Sequence, residues 1–262
     1  MNAILAVRNL EKTFGSVVAA RDISLDVPPA QTIGIIGANG AGKTTFVNMI
    51  TGHIKPSNGS IRFEDQDITG LPAPAITRRG ISRSFQVAQT FSSLTVHENV
   101  CAAAAIARGK HSILAYASQP LHSAATMAEA DAVIGLFQLA GYRNASASTL
   151  PQGARKLLDI AMAVCGSPRL LLLDEPTSGI SIEEKFAIMD VVMSALRSRK
   201  ITILFVEHDM DIVARFADRV LAFYDGTVIA DGTPAAALAD PQVQLFISGT
   251  RLAAPPRRTT HV

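Results

Sequence analysis

The chemistry-bearing residues are densest in Gly37-Ala38-Asn39-Gly40-Ala41-Gly42-Lys43-Thr44, which Thr45 follows. Glycines at three of these positions give the backbone conformations closed to other residues, so that successive N–H groups can converge on a di- or triphosphate. Lys43 adds a point charge for β- and γ-phosphates, and Thr44 carries a hydroxyl of the kind that ligates Mg²⁺. The spacing fits G-x-x-x-x-G-K-S/T at every fixed position. An apolar run (Ile33, Ile35, Ile36) precedes the loop, and residues at helical spacing (Phe46, Val47, Met49, Ile50) follow it. That order aims the unpaired N–H groups of a helix start at the same anion. The stretch is read as a nucleoside triphosphate site with magnesium. The bland alternative is a glycine turn that binds nothing.

Two further stretches end in groups suited to the same reaction. Arg169 to Asp174 is an apolar strand closing in Asp174-Glu175. A strand apolar on both faces belongs in the middle of a parallel sheet, and its carboxyl end is where open α/β sheets bind ligands. Asp174 suits the magnesium shell, and Glu175 can polarise an attacking water. Ile201 to Val206 is a second buried strand, and it ends in Glu207-His208-Asp209, placing His208 where it can hydrogen-bond a γ-phosphate or that water. Gln86 stands where the strand Ile81 to Gln86 runs out into a polar loop, a position usually only solvated. Phe14, in the link Lys12-Thr13-Phe14-Gly15, has two readings. It is either a ring that stacks on a purine, worth ~1–3 kcal/mol by analogy with bases on aromatic side chains, or a plain core phenylalanine. His53, His97, His111, His122 and His261 receive no role.

Elements that position these groups follow from periodicity. Residues 3 to 10 and 17 to 27 alternate apolar and polar side chains and read as strands of a small sheet, and Ser60 to Glu64 reads as another strand. Leu71 to Arg79 is a short helix ending at Gly80. From 94 to 165 the pattern is helical: a start capped by Thr95 and Glu98, a helix from Ala124 to Ala140, and a third beginning at Leu150-Pro151-Gln152-Gly153-Ala154. Consecutive helices without a strand between them suggest a lobe inserted into the nucleotide domain. Ile182 to Ser198 is amphipathic, with Ile182, Phe186, Met189, Met193 and Leu196 on its apolar face. A hairpin turns at Asp225-Gly226, a short helix follows, and Arg251 to Val262 reads as a disordered tail.

With 262 residues the chain can bury a full core, and a net charge of +2 gives no sign of a nucleic-acid partner. No run reaches the ~18 apolar residues of a spanning helix. Met1 to Leu10 lacks the features of a secretory leader, so the chain is expected to stay in the cytoplasm. Cys101 and Cys165 lie in Ala/Val-rich helical surroundings without metal-like spacing and read as buried hydrophobes.

The order of these motifs resembles the ATP-binding subunits of ABC transporters over roughly residues 4 to 250. It rests on 37 to 44, on Gln86 after Arg83-Ser84-Phe85, on the signature-like 150 to 154, on Leu-Leu-Leu-Leu-Asp-Glu-Pro at 170 to 176, and on His208. The resemblance implies an α/β fold: a P-loop NTPase (RecA-like) core with a mostly parallel sheet, a small N-terminal antiparallel β-subdomain and an inserted helical subdomain. It divides a single ATPase domain over 1–250 into core and β-subdomain (1–86 and 166–235) and helical signature subdomain (87–165). Residues 236–262 form a C-terminal helix and tail.

It also implies ATP and Mg²⁺ as ligands, Glu175 as general base, His208 as γ-phosphate switch, and Gln86 touching the magnesium or water and sensing the membrane partner. Phe14 takes the adenine-stacking position. Leu150 and Gly153 belong to the signature that faces the nucleotide of a second subunit in a head-to-tail dimer. Implied partners are transmembrane permease subunits, that second ATP-binding subunit and, indirectly, a solute-binding protein. The implied location is the cytoplasmic face of the plasma membrane.

Gly-Ile-Ser-Arg-Ser-Phe-Gln, Thr-Val-His-Glu-Asn-Val and Val-Glu-His-Asp-Met-Asp look like the branch that takes up branched-chain and other hydrophobic amino acids or amides. Two departures stand out. The usual Leu-Ser-Gly-Gly-Gln reads Leu150-Pro151-Gln152-Gly153-Ala154, and Ser181 replaces an aspartate. Both affect what the subunit gives its partner, which favours pairing with a different ATPase subunit. The alternatives are an export-type subunit, a soluble ABC-type ATPase and, from another class, a small-molecule kinase.

Overall fold

The computed structural model describes residues 3–84, 88–108 and 123–247. Three strands explain most of the architecture: β3 (Thr32–Gly37), β7 (Leu170–Asp174) and β8 (Thr202–Val206) are buried along their lengths, apart from the last residue of β7. Strands covered on both faces belong inside a parallel sheet. With β6 (Ile81–Ser84), β9 (Arg219–Tyr224) and β10 (Thr227–Gly232) they form a six-stranded sheet of order β10-β9-β3-β8-β7-β6. Only the β9–β10 pair is antiparallel.

Alternation along these strands feeds two cores. Ile33, Ile35, Leu170, Leu172, Leu204, Val206 and Phe223 pack with α1 (Lys43–Ile50) and a second sheet. That sheet is antiparallel, of order β2-β1-β4-β5, with β1 Leu5–Phe14, β2 Val17–Val27, β4 Asn58–Phe63 and β5 Gln66–Asp67. Ile36, Leu171, Leu173, Ile203, Phe205 and Val220 face the other way, into a helical layer. This is the P-loop NTPase fold that the resemblance implies.

The helices of that layer include α3 (Val96–Arg108), α4 (Ala124–Leu136), α5 (Gln152–Val164), α6 (Ile182–Ser198) and α7 (Met210–Phe216). A short helix, α2 (Ala73–Arg78), precedes β6. At α3 the capping box forms as the sequence suggests: Thr95 N–H donates to Glu98 Oε2 (2.8 Å), and Glu98 N–H to Thr95 Oγ1 (3.2 Å). No helix among the described residues is long and apolar enough to cross a membrane.

Several boundaries differ from the periodicity reading. β1 continues through Phe14, which pairs with Val17, so Lys12 to Phe14 is strand and only the Gly15 turn is link. The helix expected to reach Ala140 stops at Leu136. Gln138 takes a left-handed φ of +56°, and Leu139 N–H bonds Ile134 O, a Schellman ending made without the usual glycine. Ile182 is 73% exposed instead of lying on the buried face, because it is the first helical residue of α6, before that helix seats on the core. Two helices, α8 (Pro234–Ala239) and α9 (Pro241–Phe246), follow the hairpin where one was expected. Asp240 ends the first and caps the second, and Pro241 cannot continue a helix already begun. The expected tail lies outside the described residues.

Candidate nucleotide site

The loop after β3 has the conformation its glycines permit. Gly42 takes φ +99°, and a Cβ there would lie 2.6 Å from the Ala19 carbonyl, so no other residue fits without backbone movement. Gly42 is also the N-cap of α1, which has no side-chain cap and no acid in its first turn. The first amides of α1 therefore remain for an outside anion. Ala38, Asn39, Gly40 and Ala41 line an open cleft of about 220 Å³ with Tyr224 and Asp225 of the β9–β10 turn. Lys43 is buried, and its Nζ donates to the carbonyls of Gly37 (2.7 Å) and Ala38 (3.0 Å). Burial lowers its pKa, while the nearby carboxylates of Glu175 and Asp174 oppose that shift. Thr44 is exposed at the helix start and Thr45 partly so.

Parallel pairing brings the remaining groups to the same edge. Asp174 is in register with Val206, so β7 and β8 end level. Glu175 then turns out of the strand at φ +46°, its N–H bonded to Val206 O (3.0 Å). Its Oε1 lies 2.9 Å from His208 Nε2. An ionised carboxylate only accepts, so Nε2 carries the hydrogen. Thus the acid and the histidine picked from the sequence meet directly.

Two residues that sequence reasoning did not assign complete the arrangement. Glu207 is buried, and its Oε1 accepts from Thr177 N–H (3.0 Å) and Oγ1 (2.7 Å), while Oε2 accepts from His208 N–H (3.2 Å). It ties the turn after Glu175 to the start of the His208 segment. An acid closing a buried, mostly apolar strand is a sequence signal for such a role, but its partner is remote in the chain. Arg83, on β6, donates from Nη2 to Asp174 Oδ2 (2.5 Å) and from Nη1 to Asn48 Oδ1 (2.6 Å).

Phe14 is 49% exposed with Lys12 Nζ 4.9 Å from its ring centroid, which removes the core reading and leaves a ring face available. Leu150 is buried, and Pro151 is the N-cap of α5. Gly153 packs against α6 so closely that a Cβ would collide with the Ile188 side-chain tip. Gln152 presses its amide onto Gly179 of the turn before α6. Ser181 is the N-cap residue of α6, and its hydroxyl donates to Glu184 (3.2 Å). No hydrogen bond joins 150–154 to 37–45 among the described residues. Gln86 lies outside the described residues.

Comparison with known proteins agrees with this geometry. The family model described as "ABC transporter" matches residues 20–178. The high-affinity branched-chain amino acid transport ATP-binding protein LivG of Escherichia coli is 35% identical over 249 residues, covering 92% of this chain and 95% of the relative. Its counterpart BraF of Pseudomonas aeruginosa is 32% identical, with 92% and 95% covered. A crystal structure of an ATP-binding cassette of an ABC transporter in its ADP conformation superposes with a TM-score of 0.84 at 29% identity, covering 95% of this chain and all of that one. With an intact phosphate loop, an acid–histidine pair at the carboxyl edge of the sheet and relatives of this likeness over almost its whole length, the chain belongs to the ABC transporter family.

Proposed function

We propose that this ABC ATPase is the ATP-hydrolysing subunit of an importer for branched-chain or other hydrophobic amino acids or amides. It sits at the cytoplasmic face of the plasma membrane, held there by permease subunits, and pairs head to tail with a second ATP-binding subunit. A solute-binding protein delivers the substrate outside. The observation that carries the chemistry is the contact of Glu175 with His208 beside the Lys43 loop. The names of LivG and BraF support the substrate class and the direction of transport.

In this reading the amides of Ala38 to Thr45 and the Lys43 ammonium hold the phosphates, and the exposed Phe14 ring stacks on the adenine. Thr44 and Asp174 offer an exposed hydroxyl and a partly exposed carboxylate, donors that fit a magnesium ion. When bound, Mg²⁺ neutralises charge developing on the phosphate oxygens. Glu175 orients a water for in-line attack at the γ-phosphorus and takes its proton, while the bond from that phosphorus to the β–γ bridging oxygen breaks and ADP leaves. His208 fixes the rotation of that carboxylate through the 2.9 Å hydrogen bond. Leu150 to Gly153 complete the partner's nucleotide site, and Gln86 links the site to the permease. Closing the dimer on two ATP molecules shifts the permease between its inward- and outward-facing populations.

Extraction of the protein from its native membrane in mild detergent, with mass identification of what co-purifies, tests the assignment. Two multi-helix membrane proteins and a related second ATPase are expected. Recovery of the protein alone in the soluble fraction overturns it.

A further inference from the structure

We infer that Arg83 is a positioning residue for the magnesium site: its guanidinium joins the helix that carries Thr44 to the strand end that carries Asp174 and sets the spacing between them. The inference rests on the metal reading above. Asn48, which accepts from Nη1, lies one turn beyond Thr44 on α1 and so on the same side of that helix. Asp174, which accepts from Nη2, is the other proposed metal-shell residue. Arg83 therefore touches both metal-bearing elements from a third, β6.

The junction is largely shielded from solvent: the side chains of Arg83 and Asp174 are 10% and 13% exposed. A planar fork of donors in such a place holds two acceptors in fixed directions, as a lysine's single ammonium does not. It also fixes the rotation of the Asp174 carboxylate through Oδ2. Like charge opposes this benefit, because a guanidinium near a metal site repels the cation. The two effects predict opposite signs. Repulsion means that removing Arg83 improves metal binding. Positioning means that it weakens metal binding, and outer partners of metal ligands are typically worth about 10- to 100-fold in affinity.

The experiment uses the full-length chain, in excess over ATP, titrated with Mn²⁺ as a stand-in for Mg²⁺ while free Mn²⁺ is read by its electron paramagnetic resonance signal. Arg83→Lys, which keeps the charge but loses the fork, is expected to raise the apparent Mn²⁺ dissociation constant by about tenfold or more. Arg83→Gln should do the same. Affinity for a fluorescent ATP analogue in EDTA is expected to stay within about twofold, since the phosphate loop is untouched. Asn48→Ala, which removes one leg of the bridge and leaves the ion pair, should give a smaller rise and serves if the Arg83 variants fail to fold. Unchanged or tighter Mn²⁺ binding in the variants overturns the inference while leaving the metal site standing. Failure of the unmodified chain to bind Mn²⁺ more tightly than ATP alone does removes the metal site itself, and this inference with it.

Discussion

Glu175 leaves β7 in a left-handed backbone conformation, which costs a residue with a side chain about 1–2 kcal/mol. Its amide bond to Val206 and the Glu207–Thr177 contacts that follow hold it there. Substitution Glu175→Gln keeps size and backbone but removes the proton acceptor. Turnover should fall by ~10²–10⁴-fold, the usual worth of a positioned general base, with ATP binding retained. Steady-state phosphate release together with gel filtration in ATP checks this, and an ATP-trapped dimer is expected. Hydrolysis at the parent rate would refute the base assignment. Glu207 acts one contact further out. In Glu207→Ala the buried Thr177 donors lose their acceptor, and an unsatisfied buried group costs about 1–3 kcal/mol. Chemical denaturation should register that loss. A positioning role also requires kcat to drop with KM for ATP little changed, and Glu207→Gln, which keeps an acceptor oxygen, should recover part of both.

At the scale of elements, α3 depends on its capping box. Thr95 and Glu98 satisfy each other's amides at the start of a helix that packs on α4 and α5. Thr95→Ala should cost about 1 kcal/mol in global stability, measured by urea unfolding, with nucleotide affinity unchanged because Thr95 holds only the start of α3. The central strands β3, β7 and β8 were readable because they are short, mostly apolar and punctuated by glycine or acids, whereas β5, the pair Gln66–Asp67, was not. Helix ends were less so. The stop after Leu136 uses Gln138 in a conformation that composition does not advertise, and the kink at Asp240 splits one expected helix into two. Ile182 shows the limit of periodicity, which assigns a face without saying where along the helix burial begins.

For the molecule as a whole, the two cores on opposite faces of the large sheet leave both cysteines inside the helical layer. Cys101 and Cys165 are not bonded to one another, and burial pushes the Cys165 thiol up to about 12. A thiol at that pKa has essentially no thiolate at pH 8, and thiolate is the reactive form. Native protein should therefore leave a disulfide reagent unreacted at pH 8, and denatured protein should consume two equivalents, one per cysteine. Fast reaction of the native chain would mean that the layer opens. The candidate site divides in the same way as the fold. Lys43, Thr44, Asp174, Glu175 and His208 stand in local motifs and were visible in one dimension. Arg83 and Glu207 work through partners that the parallel register of β6, β7 and β8 brings near, and Asn48 meets Arg83 from α1.

The seat of Gly153 on Ile188 carries a lesson about lineage. A glycine in a signature stretch is ordinarily credited to the nucleotide, yet here a methyl group would also meet the Ile188 side-chain tip, which must turn aside to admit it. How easily position 153 drifts to alanine thus depends in part on position 188. Valine at 188 lacks the colliding methyl and would ease that change, whereas isoleucine must rotate to allow it. Related sequences should show the two positions varying together, so an invariant glycine at 153 is not by itself a record of selection for ATP.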